Sequence, residues 1–172
     1  MLFRSGEPGN LVSFYDPIIS ANGDVVFGDY TGVALKVEAT GSIAAGNIVI
    51  TGPDTTVIAD GSGSDEDLLA SSRAAILRAG VALENGANVP QVANGTTFAN
   101  GVLAEQPPGS IVVSSINTSD ITGGAGGPII LEAEGNIIAT GSFDDSVTLG
   151  SFSFSGSGNS SNGGAISVSA VG

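Results

Sequence analysis

The sequence predicts an all-β fold in which short parallel strands stack as the coils of a β-solenoid, with one long loop insertion. Three observations predict it. Apolar and polar residues alternate at a period of two, as in Leu35-Lys36-Val37-Glu38-Ala39, the pattern of a half-buried strand. The alternating stretches recur in a common frame. Gly, Asn and Ser are abundant and punctuate the joins, where tight corners need turn-tolerant residues.

The recurrence is an imperfect internal repeat. Gly32-Val33-Ala34-Leu35-Lys36-Val37-Glu38-Ala39-Thr40-Gly41-Ser42-Ile43 aligns with Gly126-Gly127-Pro128-Ile129-Ile130-Leu131-Glu132-Ala133-Glu134-Gly135-Asn136-Ile137. Gly163-Gly164-Ala165-Ile166-Ser167-Val168-Ser169-Ala170-Val171-Gly172 shares the frame of Gly, two spacers, then apolar, any, apolar, any, Ala, any. Leu35, Val37, Ile129, Leu131, Ile166 and Val168 are therefore the predicted core, while Lys36 and Glu38 face the other way. Ile129 and Ile166 are 37 positions apart and Ile111 and Ile129 are 18 apart, which suggests a unit of 18 to 19 residues. Units of about 20 residues with short strands are typical of solenoids, and this chain is long enough for about eight.

The elements follow in order. Residues 1–15 are expected to be irregular or to cap the core. The aromatics Phe14, Tyr15, Phe27 and Tyr30 are assigned to covering its open end, because exposed strand edges need protection. Asp24-Val25-Val26-Phe27 follows an Asn-Gly turn signal, and Asn47-Ile48-Val49-Ile50-Thr51 is closed by Gly52-Pro53-Asp54. Residues 64–80 read two ways. As a helix, Ser64 is the N-cap, Asp65, Glu66 and Asp67 meet the positive end of the dipole, and Gly80 is the stop. As a strand, Ala75, Leu77 and Ala79 repeat the inward pattern. The strand over residues 74–79 is favoured, with a short helical turn near residues 68–71. Residues 84–109, interrupted by three Asn-Gly pairs and Pro107-Pro108-Gly109, form the expected loop insertion. Ser146-Val147-Thr148-Leu149 and Ser151-Phe152-Ser153-Phe154 alternate as strands.

Composition excludes much chemistry. The chain has no His and no Cys, so it holds no thiolate metal site, no imidazole base and no disulfide. Four Lys/Arg against 17 Asp/Glu give a net charge of −13, the opposite of what nucleic acid requires. No apolar run approaches the roughly 18 residues of a membrane span, so no membrane insertion is expected. Met1-Leu2-Phe3-Arg4 turns polar at once, and no signal peptide is expected on this chain.

Candidate sites are few. Gly123-Gly124-Ala125-Gly126-Gly127 lacks the Lys of a phosphate loop and reads as a tight turn. Asp65, Glu66, Asp67, Asp144 and Asp145 are the densest carboxylates and the weak candidates for calcium, whose irregular oxygen shells such loops can supply. Their alternative reading is solvated turns, and no cofactor is expected. Carboxylate pairs also hydrolyse glycosides, but Arg4, Lys36, Arg73 and Arg78 are the whole supply of cations for charge stabilisation.

The Gly28-Asp29-Tyr30-Thr31-Gly32 to Ile43 stretch, the Ile50-Thr51-Gly52-Pro53-Asp54-Thr55 turn, the Ser72-Arg73 to Arg78-Ala79-Gly80 segment and the Gly126 to Ile137 stretch together resemble the repeat region of cyanobacterial filamentous-haemagglutinin-type exoproteins. These are large proteins similar to bacterial two-partner secretion adhesins. The resemblance spans roughly residues 16–172. It implies a right-handed parallel β-helix, export by a dedicated outer-membrane partner, and a surface or extracellular role such as adhesion, with no catalytic residue carried over. The Asn-Pro motifs of the secretion domain are missing, and Val171-Gly172 falls in mid-repeat. The expectation is therefore a non-enzymatic, single-domain segment of a secreted or surface-exposed exoprotein. Its expected partners are the remainder of a longer β-helix and a surface glycan or protein receptor. The alternatives are a carbohydrate-active β-helix enzyme and a calcium-stabilised surface-layer module.

Overall fold

The structure is a computed structural model that describes residues 8–84, 87–90, 106–119, 126–141, 143–144, 152–155 and 166–167. The chain is mostly strand, in parallel sheets, as the period-two alternation predicts. In order the strands are β1 (Leu11–Ser13), β2 (Ile18–Ala21), β3 (Val25–Val26), β4 (Tyr30–Val33), β5 (Leu35–Ala39) and β6 (Ile43–Gly52). Helix α1 (Asp65–Ser71) follows, then β7 (Ala75–Ala79), β8 (Val81–Glu84), β9 (Ala87–Pro90), β10 (Ile111–Asn117), β11 (Ile129–Ala133) and β12 (Ile137–Ala139). Last come β13 (Phe143–Asp144), β14 (Phe152–Ser155) and β15 (Ile166–Ser167).

Two parallel sheets hold all but β8 and β9, which form an antiparallel pair. The five-stranded sheet runs β2-β5-β7-β11-β14 in one column. The eight-stranded sheet carries two columns side by side, because β6 and β10 are long enough to serve both. One column is β3, the first part of β6, the first part of β10, β12 and β15. The other is β1, β4, the second part of β6, the second part of β10 and β13.

Inward side chains stack in register along each column. Val25, Ile43, Ile111 and Ile137 form one buried row, Tyr30, Ile48 and Ile116 a second, and Val37, Leu77 and Leu131 a third. All belong to one apolar cluster between the sheets. Leu35, Val37, Ile129 and Leu131 are core residues, as the alternation requires. Ile166 lies in β15 as expected for a strand, and Val168 lies outside the described residues.

Several expectations need correction. Ile166 pairs with Ile137 in the eight-stranded sheet, whereas Ile129 pairs with Ala75 and Phe152 in the five-stranded one. The third sequence copy thus belongs to a different column, and 37 positions is not a multiple of the true repeat. The interval of 18 to 19 does relate partners through the first passes, from Asn10 to Thr51. It then jumps to 40 between β5 and β7 and to 68 between β6 and β10, because residues 53–74 and 80–109 are inserted. The five-stranded column therefore holds five strands where a uniform repeat would have allowed about eight.

The beginning of the chain also differs. Leu11–Ser13 is a regular strand on β4, while residues 1–7 lie outside the described residues. Phe27 and Tyr30 lie buried in the core cluster, with Tyr30 between Leu11 and Ile48 and not at an open end, and Phe14 and Tyr15 are 63% and 74% exposed. Within the expected loop, Ala87–Pro90 folds back on Val81–Glu84, and residues 91–105 lie outside the described residues. So do Ser146 to Leu149 and the glycine run at residues 123–125. Segment 64–80 combines both readings. Ser64 caps α1, and the helix ends at Ser71 and Ser72, whose hydroxyls donate to the carbonyls of Asp67 and Leu68. Residues 75–79 are strand, and Gly80 ends that strand at φ +74 rather than stopping a helix.

Leu131 stacks on Leu77 in the third row and is fully buried, so it tests the rows directly. Leu131→Ala is expected to cost about 2–5 kcal/mol, and Leu131→Asp to abolish the cooperative transition, as read by thermal melting in far-UV circular dichroism.

Candidate functional site

Outward rows of the five-stranded sheet meet helix α1. Register places Glu38, Arg78 and Glu132 side by side on β5, β7 and β11, with Lys36 two residues from Glu38 on the same face. Strand alternation points these side chains away from the core, as expected. Lys36 and Glu38 are nevertheless buried and Arg78 is largely covered, because α1 lies over them, while Glu132 stays half-buried at the margin. Leu69 of α1 packs with Ala34, Ala74 and Ile76, and beside that apolar contact Asp65 reaches the charges.

The result is an ion cluster. Lys36 Nζ lies 3.1 Å from Glu38 Oε1, 2.9 Å from Asp65 Oδ2 and 3.9 Å from Glu66 Oε1. Arg78 donates through Nη2 to Asp65 Oδ1 at 3.0 Å and lies 3.4 Å from Glu38 Oε1. It also bonds Asp65 Oδ2 through Nη1 and Glu132 through Nε. The Lys36 and Glu38 side chains are only 8% and 7% exposed. Burial alone would raise the Asp65 carboxyl, but the hydrogen bonds from Arg78 and Lys36 outweigh it and hold the group below the usual carboxylate range. Burial likewise works to lower the Lys36 ammonium, and Asp65 and Glu38 override it, so Lys36 is held charged above its usual range.

The calcium candidates are placed differently from one another. Asp65 is saturated by two protein cations. Glu66 stands at the rim of the cluster. Asp67 turns the other way and accepts backbone N–H groups from Gly63 at 2.6 Å, Gly61 at 3.0 Å and Asp60 at 2.8 Å, which hold its carboxyl below the usual range. Asp144 lies in β13 opposite Asn117 in the other sheet, and Asp145 lies outside the described residues. The structure does not bring Asp144 to the other three, and no group of three or more acidic side chains poised for a metal occurs among the described residues.

Sequence reasoning found the outward orientation of Lys36 and Glu38 but missed their burial. The available signal was the placement of Lys36 and Arg78, two of four cations in the chain, each at an outward strand position near glutamates. It also missed Asp54, which is buried at the start of the first insertion. Its Oδ1 accepts from the Thr56 N–H at 3.0 Å and hydroxyl at 2.6 Å, while Oδ2 has no partner among the described residues. Burial, with a smaller contribution from the Asp54 charge, raises the Tyr30 hydroxyl, which donates to the Val33 carbonyl at 2.8 Å.

The opposite sheet offers an exposed polar row. Asn10 Oδ1 accepts the Asp29 N–H at 2.9 Å, and Asp29 Oδ1 accepts the Asn47 N–H at 2.7 Å. Ser115 Oγ then donates to Asn47 Oδ1 at 2.7 Å. At another corner the same device repeats: Asp24 Oδ1 accepts the Ser42 N–H, Ser42 Oγ that of Ser110, and Ser110 Oγ that of Asn136. Asn10, Asp29, Asp24, Ser42 and Ser110 thus each hold the backbone of the next pass, and Asn47 holds the Ser115 hydroxyl. Beside the first row, Val12, Thr31, Val49 and Asn117 stand in register.

No helix among the described residues is long and apolar enough to cross a membrane. No protein-family model, curated protein or solved structure matches the chain.

Two outcomes follow from the cluster. Arg78→Met leaves Lys36 alone to balance Glu38 and Asp65 and takes the guanidinium away from Glu132, and is expected to lower stability by about 3–5 kcal/mol by chemical denaturation. The depressed Asp65 pKa gives stability that is fully present above the unfolded carboxylate pKa of about 4 and is lost as pH falls through the folded value. Melting points titrated downward from neutral pH should therefore fall below about pH 4, and Asp65→Asn should melt lower at neutral pH with a difference from wild type that shrinks in acid.

Proposed function

We propose that the chain is a non-catalytic structural and adhesive segment of a secreted or surface-exposed filamentous-haemagglutinin-like exoprotein, built as a right-handed parallel β-helix. The columns support the β-helix reading: the chain returns to the same three in the same order, in parallel, on each pass. Right-handedness is the hand that parallel crossovers adopt. The observation that carries adhesion is the exposed Asn10-Asp29-Asn47-Ser115 row, in which amide, carboxylate and hydroxyl groups repeat at strand spacing. Such a row offers many equivalent weak hydrogen bonds, which become strong when several engage together. The cations do not favour the carbohydrate-active enzyme. Lys36 and Arg78 lie in the ion cluster and Arg73 donates to the Ser119 carbonyl at 2.8 Å, so none of them stands ready over a substrate groove.

The test is retention of chain-coated beads on a panel of immobilised neutral and acidic polysaccharides. Dense coating should bind at least one polysaccharide, sparse coating far less, and the Asp29→Ala/Asn47→Ala variant should lose retention while keeping its strand spectrum. Retention that is unchanged in the variant would remove the row from the mechanism. New reducing ends or unsaturated products would replace this reading with the enzyme.

A further inference from the structure

The corner between β2 and β3 carries Asn22-Gly23, the one Asn-Gly pair among the described residues. Two backbone bonds tie it to the following pass. The Thr40 N–H donates to the Ala21 carbonyl at 3.0 Å, and the Gly41 N–H donates to the Gly23 carbonyl at 3.0 Å. They centre the Thr40 side chain on the pair. Thr40 Oγ1 accepts the Gly23 N–H at 2.8 Å, and the Thr40 hydroxyl donates to Asn22 Oδ1 at 3.0 Å. This contact runs against the corner ladders. There an oxygen of one pass accepts an N–H of the next, whereas here the later pass supplies the oxygen and the earlier one the N–H. One hydroxyl thus joins the Gly23 backbone nitrogen to the Asn22 side-chain amide.

An amide nitrogen is a poor nucleophile and an amide carbonyl a poor electrophile, and positioned proton transfer helps both. Thr40 can serve the two at once. As the Gly23 nitrogen bonds to Asn22 Cγ, its proton passes to Thr40 Oγ1, and the Thr40 hydroxyl proton passes to Asn22 Oδ1, so no charge builds up. The Cγ–Nδ2 bond then breaks, Oδ1 returns its proton to Nδ2, and ammonia leaves. A succinimide ring remains, and Thr40 ends as it began. Solvent water opens the ring at either carbonyl, leaving aspartate or isoaspartate; nothing is oxidised or reduced. Gly23 suits the closure. Its φ of +132 is open to glycine alone, and nothing lies within 4 Å of the place a Cβ would take. Asn22 is exposed, so water reaches the ring.

We propose that Asn22 is a self-modification site, at which Thr40 relays the protons of a succinimide closure that turns the asparagine into aspartate or isoaspartate. Thr40 touches both reacting groups and is the catalytic residue of the step. The relay exists only while β2 is paired with β5, so the reaction belongs to the folded chain, and its one-way product marks the age of that chain. Isoaspartate lengthens the backbone by a methylene between Ala21, held opposite Ala39, and Val25, held opposite Ile43, so the corner has to absorb it. Either product adds a negative charge to the −13 already present. The inference is independent of adhesion.

The experiment is timed incubation of the full chain at neutral pH, followed by tryptic digestion and mass spectrometry with fragmentation. Residues 5–36 form one tryptic peptide, which contains Asn10, Asn22 and a single Asn-Gly pair. The native chain should convert Asn22 about tenfold faster than the same chain held unfolded in guanidinium chloride, and should yield both aspartate and isoaspartate. Thr40→Val keeps the shape of the side chain without its hydroxyl, and should fall to the unfolded rate or below. Thr40→Ser keeps the hydroxyl and should stay fast. Far-UV circular dichroism on each sample checks that the strands are present. A native wild type in which Asn22 persists while it converts in denaturant would overturn the proposal, because Thr40 would then be a clamp. So would a folded Thr40→Val chain that converts as fast as wild type, or aspartate as the sole product, the mark of direct hydrolysis. If Thr40→Val loses its strand spectrum, the native and unfolded rates of the wild type still decide.

Discussion

Every parallel strand in this molecule depends on a partner a whole pass away. A parallel ladder cannot be closed by a tight turn, so β6 finds β4 only after the chain has crossed the other sheet, and β10 finds β6 across 68 residues. Backbone groups that are buried must be paired, so the chain has to return to the same columns at the same height each time. The corner ladders enforce that return. Asp24, Ser42 and Ser110 each accept the N–H of the equivalent residue in the following pass, and Asn10 and Asp29 do so at a second corner. With the corners fixed, inward rows of Ile, Val and Leu stack on like residues, and side chains of similar shape in register leave few voids.

The same constraint explains why large insertions are tolerated. An insertion between columns changes how long the chain takes to return, and leaves where it returns untouched. Residues 53–74 leave after β6 and rejoin at β7 in register with β5, and the loop-closure cost of such an excursion grows only slowly with its length. The first excursion also alters the surface it crosses. By laying Leu69 on Ala34 and Ile76, it covers a sheet face that carries Lys36, Glu38 and Arg78, with Glu132 at its margin. Charges so covered must be paired among themselves. Asp65, at the first turn of α1, is the group the excursion itself contributes, and it ties helix to sheet at a defined position. A hydrophobic patch of equal area would hold the helix as firmly and with less positional definition.

What could be read from the sequence divides along the same line. Period-two alternation identified Leu35, Val37, Ile129 and Leu131 as inward, because that pattern depends on neighbouring residues alone. Column membership did not survive the same treatment. The Ile129 and Ile166 stretches share a frame of apolar, spacer, apolar, yet one lies in the five-stranded sheet and the other in the eight-stranded sheet. Both columns need small turns and inward aliphatics, so local pattern does not tell them apart, and the insertions destroy the spacing that would have. The ion cluster was illegible for a related reason. Lys36 and Glu38 have the pattern of solvated outward residues, and only the path of residues 53–74 buries them. Ser64 and its acidic followers did mark the start of α1, since a cap is a local device.

The distribution of cations carries the functional argument one step further. Three of the four Lys/Arg residues, Lys36, Arg73 and Arg78, are described, and each is committed to an intramolecular partner. The exposed Asn10-Asp29-Asn47-Ser115 row contains no cation. A surface of this kind has nothing with which to neutralise a phosphate or a uronic acid, and any polyanion would meet repulsion from a chain of net charge −13. What it offers is a repeating set of neutral donors and acceptors and a carboxylate, beside the side chains of Val12, Thr31 and Val49. Under the adhesive reading proposed above, a partner suited to such a row would itself be repetitive, rich in hydroxyl or amide groups and neutral or weakly cationic. Its affinity would come from the number of passes engaged, because each pass contributes only hydrogen bonds exchanged against water.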